Sequence, residues 1–261
     1  MKKRKLKRNV KFFIIESLFI IIFLVALINI IIWYVNNNKT HEILESVQNS
    51  IEIKEDVPND VVEEKYTIDF SYLKSNNSDT VAWIIVNGTN INYPVVKASD
   101  NNYYLTHSFD KSYNKAGWVF ANFLNNFDGF DKNITLFAHA RGDGTMFGTL
   151  KNVLTNKWQE NIDNHQIILA TENETNIYEV FATYKIEVED YYIKSSFQSN
   201  DEYLEFLNTL KKRSNYDYGV NLDENDSILT LSTCYSNNNY RIVLHAKKVD
   251  NTNELENDFD N

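Results

Sequence analysis

Twenty-four consecutive residues, Phe12 to Val35, read FFIIESLFIIIFLVALINIIIWYV and carry only Glu16 and Asn29 as strongly polar side chains. A helix needs about 20 apolar residues to cross the hydrocarbon core of a bilayer, so this run constrains the chain more than any other feature. Seven Lys or Arg residues fall within Met1 to Lys11, immediately before it. Trp33 and Tyr34 close the far end, where amphipathic rings favour the membrane interface. The positive-inside rule then predicts a cytoplasmic basic segment at 1–11, a transmembrane anchor at 12–35, and residues 36–261 outside the cell. A cleaved leader would need an apolar stretch of about 7–15 residues ending in a small-residue cleavage site. This run is longer, and Ile-Ile-Ile-Trp-Tyr-Val-Asn offers no such site.

The whole chain carries a formal charge of −10, so the basic start sits on an acidic body. Its position beside the apolar run marks a membrane flank and argues against nucleic-acid binding. A single cysteine cannot form an internal disulfide. In an oxidising compartment it is either a buried small hydrophobe or a thiol kept for chemistry.

Residues 36–65 are polar and acidic and read as an extracellular stalk that includes an N-terminal helix. Ile43, Leu44, Val47 and Ile51 would form its one buried stripe, and Val57-Pro58-Asn59-Asp60 breaks it. From Tyr66 the pattern turns to strands. Val81–Val86 and Ile91–Val96 flank the turn dipeptide Asn87-Gly88. Trp118–Phe123, Asn133–His139, Gln166–Ala170 and Ile177–Ile186 follow. Asp201–Ser214 has Tyr203, Leu204, Phe206, Leu207 and Leu210 at helical spacing, with acids first and bases last, as the helix dipole favours. Two more strands, Ser227–Ser232 (running on to Cys234) and Arg241–Val249, end a predicted domain at 66–249. Residues 250–261 carry five acids and no base and read as a disordered acidic tail. The fold class is therefore mainly β, a small barrel or sandwich with inserted helices.

Cys234 stands at a strand end, where a sheet would hold a nucleophile at the edge of a groove. A free thiol titrates near about 8.5 and needs a partner to react at neutral pH. Of the five histidines, His41 lies in the stalk and His165 reads as a solvated loop residue. His107 follows Tyr103-Tyr104 and would pack near a groove. His139 ends a strand beside the Gly-containing loop Ala-Arg-Gly-Asp-Gly-Thr, and His245 shares a strand face with Arg241 through the period of two. Spacing leaves both open. Arg241 opens the last strand and could return its guanidinium to the sulfur as an oxyanion donor, or be a surface arginine. No metal is expected, because a second cysteine, a His-x-x-His pair and a Ca²⁺-loop pattern are all missing. No cofactor is expected either, since Gly142, Gly144 and Gly148 follow no phosphate-binding spacing.

Together these segments resemble the sortases, the cysteine transpeptidases that attach surface proteins to the wall of Gram-positive bacteria. Thr230-Leu231-Ser232-Thr233-Cys234 is similar to the family's TLxTC motif, with an arginine on the next strand. NITLFAHARGDGTMFGTL resembles the segment that carries the family's histidine, and this resemblance favours His139 over His245. Trp83 to Val96 with Asp100-Asn101-Asn102-Tyr103-Tyr104-Leu105, and the helix before the cysteine strand, look like class B. Phe137 departs from a tyrosine that class B relatives can carry.

The resemblance implies an eight-stranded sortase barrel with an N-terminal helix and an inserted helix. It implies Cys234 as nucleophile, His139 as proton carrier and Arg241 as oxyanion stabiliser. Asn101, Leu105, Tyr192, Ile193 and Ser232 would line the groove for the sorting motif. The expected partners are surface proteins bearing a C-terminal sorting motif, cleaved after Thr, and an amine of a peptidoglycan precursor. A pilin-polymerising sortase is one alternative, though such enzymes commonly carry a second apolar helix, and no apolar run follows Val249. A non-catalytic binding module on the same fold is another, and a protease that hydrolyses the acyl enzyme a third.

Overall fold

A computed structural model of the chain describes residues 2–54, 65–127, 129, 131–235 and 239–249, with the backbone alone at 2–9, 234 and 235. The breaker Val57–Asp60, part of the turn before Arg241 and the acidic tail lie outside these residues. The chain forms two compact units, Met1–Glu42 and Ile43–Asn261.

In the first unit, helix α1 (Lys2–Gln48) contains the whole apolar run. Its large side chains face outward, with Phe12 67% and Ile30 60% exposed. An apolar surface of this kind is suited to lipid. Asn29 Nδ2 donates back to the Val25 carbonyl at 2.7 Å, so its amide is engaged within the helix.

The second unit starts with the end of α1. Val47 is buried, and Ile43, Leu44 and Ile51 pack partly buried against the same core, so the stripe read from the sequence has a surface to cover. A short antiparallel pair that no local pattern marks follows, β1 (Ile51–Ile53) with β2 (Tyr66–Ile68). Helix α2 (Phe70–Asn76) is capped by Asp69, whose carboxylate accepts from the Tyr72 amide at 2.8 Å.

Eight strands close a barrel: β3 (Thr80–Val86), β4 (Ile91–Val96), β5 (Phe120–Ala121), β6 (Asn133–Ala138), β7 (Gln166–Ala170), β8 (Thr175–Glu187), β9 (Ile228–Tyr235) and β10 (Tyr240–Lys248), in the order β10-β8-β7-β3-β4-β5-β6-β9. Closure pairs each strand of this sheet on both sides. The expected strand Trp118–Phe123 contracts to two residues. Trp118 is committed to the core, its indole donating to the Pro94 carbonyl at 2.9 Å, and the chain turns away after Ala121.

Alternation decides what each strand shows. On β9 and β10, Leu229, Leu231, Ile242, Leu244 and Ala246 fill the core. The other parity, including Thr230, Ser232, Arg241, Val243 and His245, forms the opposite face. Helix α3 (Asn200–Arg213) covers part of that face. Ser199 caps it by accepting from the Glu202 amide, while Glu202 accepts from Gln198 N. Its buried stripe, Tyr203, Phe206, Leu207 and Leu210, packs in one cluster with Phe181, Tyr184, Tyr192 and Val243. Each fully buried side chain of this size contributes about 1.5–3 kcal/mol, which holds the helix over β8 and β10.

Candidate active site

Strand direction gathers the candidate residues. β6 and β9 run parallel, with Ala138 opposite Thr233, so both strands finish at the same end of the barrel. His139 follows Ala138 directly, and Thr233 Oγ1 donates to the Ala138 carbonyl at 2.7 Å. β10 runs antiparallel to β9 and starts at that end, with Arg241 directly opposite Cys234. Opposed residues of an antiparallel ladder lie about 4.5–5.5 Å apart at Cα. Positions 139, 234 and 241 therefore form one row across three adjacent strands.

A groove of about 430 Å³ borders this row. His139 and Arg241 line it, as do all five residues expected to meet a substrate: Asn101, Leu105, Tyr192, Ile193 and Ser232. Tyr192 is buried, and its hydroxyl lies 3.0 Å from Ser232 Oγ. Burial raises the Tyr192 phenol, with the Ser232 hydrogen bond opposing. Asn101 is held from outside the groove, its Oδ1 accepting from the Phe123 amide at 3.0 Å. Asp100 shapes the turn leading to Leu105 by accepting from the Asn102 and Tyr103 amides, which keep its carboxyl below the ordinary range.

His139 is half-buried, and its Nε2 lies 2.8 Å from the Leu105 carbonyl. A carbonyl only accepts, so Nε2 carries the proton and Nδ1 is the nitrogen left for exchange. Two amides, of Arg141 and Phe147, donate to the His139 carbonyl. The following loop is fastened by Asp143, which accepts from the Arg141 guanidinium and from the Thr145 amide and hydroxyl. Burial pushes the Asp143 carboxyl up, but those donors outweigh it and hold it down at about 2. A carboxyl depressed in the folded state adds stability above its ordinary pKa of 3.8 and loses it as pH falls through about 2. Asp143→Asn should melt below the native protein at pH 7, and the gap should narrow below about pH 4 and close as pH falls through about 2.

Gly117 backs the imidazole and was not singled out in the sequence. Its φ is +64°, and a Cβ there would lie 2.6 Å from the Tyr104 carbonyl, 3.0 Å from the Leu105 carbonyl and 3.1 Å from His139 Cδ2. A lone glycine before Trp118 was its one sequence signal. Gly117→Ala should displace the ring and lower kcat/KM by about 10²-fold, the scale of a roughly 1 Å misplacement. Steady-state peptide cleavage beside a thermal melt checks this, since a folded, fully active variant would contradict it.

The remaining histidines take other places. His245 shares the face of Arg241, as its spacing suggested, but the rings of Phe181, Tyr184 and Tyr192 pack around it and leave it 0% exposed. Burial, with the Arg213 charge, pushes its pKa down to about 3, so it is neutral at physiological pH. His165 is not a solvated loop residue. Its Nε2 is 2.8 Å from the Gln159 carbonyl, and its ring packs edge-on to Tyr218 at 4.8 Å. His107 stacks on Tyr103 at 4.1 Å.

Comparison with known proteins shows the family. The sortase-domain family model matches residues 84–249. Sortase B of Staphylococcus aureus is 36% identical over 185 residues, covering 69% of this chain and 74% of the relative. The solved Staphylococcus aureus sortase B–substrate complex superposes with a TM-score of 0.65 at 34% identity, covering 69% of this chain and 84% of that one. Sortase B from Bacillus anthracis gives a TM-score of 0.71 at 29% identity, over 83% and 99% of the two chains.

Proposed function

The chain belongs to the sortase family as a class B sortase, a cysteine transpeptidase, and we propose that Cys234, His139 and Arg241 carry its chemistry. The observation behind this assignment is the row of positions 139, 234 and 241 on three adjacent strand ends beside one groove. Asn101, Leu105, Tyr192, Ile193 and Ser232 line that groove and are assigned to the sorting motif of a surface protein.

In the first half-reaction the Cys234 thiolate attacks the carbonyl of the motif's threonine. A C–S bond forms, the C–N bond breaks, and the leaving amine takes a proton from His139 Nδ1. In the second, an amine of a peptidoglycan precursor attacks the thioester. Nδ1 takes its proton, the new amide forms, and the thiolate is restored. Arg241 donates to the oxyanion in both steps. Its Nη1 also donates to the Tyr240 carbonyl at 3.1 Å, which tethers one end of the guanidinium. Helix α1 anchors residues 43–249 to the membrane, with the basic end cytoplasmic and the barrel outside.

The assignment is tested with the full chain in detergent micelles, a panel of peptides bearing Thr-containing sorting motifs, and a short peptidoglycan-like amine. An amine-linked product whose yield rises with amine concentration is expected. Hydrolysis at an unchanged rate and yield, whatever the amine, would favour the protease reading.

A further inference from the structure

Beneath the groove, an uninterrupted file of buried polar groups crosses four neighbouring strands. Tyr184 on β8 places its hydroxyl 2.7 Å from His245 Nε2 on β10. His245 Nδ1 lies 2.8 Å from Thr230 Oγ1 on β9. Thr230 Oγ1 donates to Asn133 Oδ1 on β6 at 2.6 Å. Asn133 Nδ2 donates to the carbonyls of Tyr192 and Lys194, both at 3.0 Å. Asn133, Thr230 and His245 are each fully buried.

With His245 neutral, only one placement of protons satisfies every contact. The two backbone carbonyls can only accept, so they fix the Asn133 amide with Nδ2 toward them and Oδ1 toward Thr230. The single hydroxyl hydrogen of Thr230 goes to that oxygen. Thr230 must then accept from His245 Nδ1–H, and Nε2 is left to accept from Tyr184 O–H. The direction is therefore set from Tyr184 to the turn Tyr191–Ile193. That turn is a groove wall: Tyr192 and Ile193 line the groove, and the Tyr192 ring meets His245 edge-on at 6.4 Å. A fully satisfied buried chain is rigid, whereas one missing member leaves its neighbours unpaired.

We propose that His245, acting through Thr230 and Asn133, is a positioning residue that sets the Tyr192–Lys194 wall and hence the fit of the sorting motif. His245 touches neither the nucleophile nor the reacting carbonyl in this scheme. The proposal rests on the assignment of Tyr192 and Ile193 to substrate, so its test includes a readout that needs no substrate.

The full chain in detergent is compared with Thr230→Val, Thr230→Ser and His245→Phe. Thr230→Val keeps the shape of the side chain and removes the link. Hydrogen exchange at the Ile193 and Lys194 amides is expected to quicken about tenfold in Thr230→Val, while β9 core amides stay unchanged. KM for the sorting peptide should rise about tenfold, with alkylation of the single cysteine by iodoacetamide within about twofold of native. Thr230→Ser should restore both readouts. Because the file acts as a unit, Thr230→Val/His245→Phe should cost no more than the worse single change.

Native exchange and KM in a folded Thr230→Val protein would overturn the proposal, as would additive effects in the double variant. A parallel fall in alkylation would also overturn it, by showing general loss of the site. If the native chain cleaves no sorting peptide, the functional reading fails, and hydrogen exchange alone decides whether the file positions the turn.

Discussion

His139→Ala is expected to lower kcat/KM for sorting-peptide cleavage by about 10²–10⁴-fold, the range set by a positioned general acid–base group. Each half-reaction needs a proton at a defined nitrogen, first given to the leaving amine and then taken from the incoming one. The Leu105 carbonyl occupies Nε2 at 2.8 Å, so both transfers fall to Nδ1. A glutamine at 139 could keep a hydrogen bond to that carbonyl but could not cycle a proton. His139→Gln should therefore be no faster than His139→Ala. KM should change little, because the groove walls at Tyr192, Ile193 and Asn101 remain. Steady-state kinetics on both variants checks this, and a His139→Gln protein within about tenfold of native would contradict the assignment.

Arg241→Lys should cost about 10²–10³-fold in kcat, the scale measured when one oxyanion donor is removed. Lysine keeps the charge but not the planar fork. Arg241 lies directly opposite Cys234 in the β9–β10 ladder, and its Nη1 donates to the Tyr240 carbonyl at 3.1 Å. An ammonium has three donors but no rigid fork, so it does not hold a donor at a set angle to the oxyanion as a guanidinium does. Should charge alone matter, Arg241→Lys would keep near-native kcat, and the role would be long-range electrostatics. Single-turnover acylation rates separate the two cases, because a transition-state donor changes kcat and kcat/KM together.

The parts of this fold legible in the sequence are those fixed by local chemistry. Ile91–Val96 and Gln166–Ala170 have the expected bounds, and the helix over Asp201–Ser214 shifts by one residue at each end. Asn87-Gly88 does turn the chain, with Gly88 at φ +70°. What was illegible depends on distant partners. The parallel pairing of β6 with β9 joins segments separated by some 95 residues in sequence, as with Ala138 opposite Thr233, and no local pattern encodes it. The choice between His139 and His245 has the same origin. Both stand on the outward parity, and burial distinguishes them, His245 lying among the rings of Phe181, Tyr184 and Tyr192. Resemblance to known sortases selected His139, whereas periodicity left the two open. The turns Tyr103–Leu105 and Tyr191–Ile193 were likewise unread as structure, though Leu105, Tyr192 and Ile193 within them were named for the groove. Gly117 and Asn133 escaped notice because their significance lies in neighbours far along the chain.

Intact-protein mass spectrometry tests the central claim most directly, using the full chain in detergent with a sorting-motif peptide and no added amine. The account predicts a mass gain equal to the peptide fragment ending at threonine, carried by Cys234, absent from Cys234→Ala and discharged when an amine is added. Peptide cleavage that persists in Cys234→Ala, or an acyl group carried by any other residue, would contradict it.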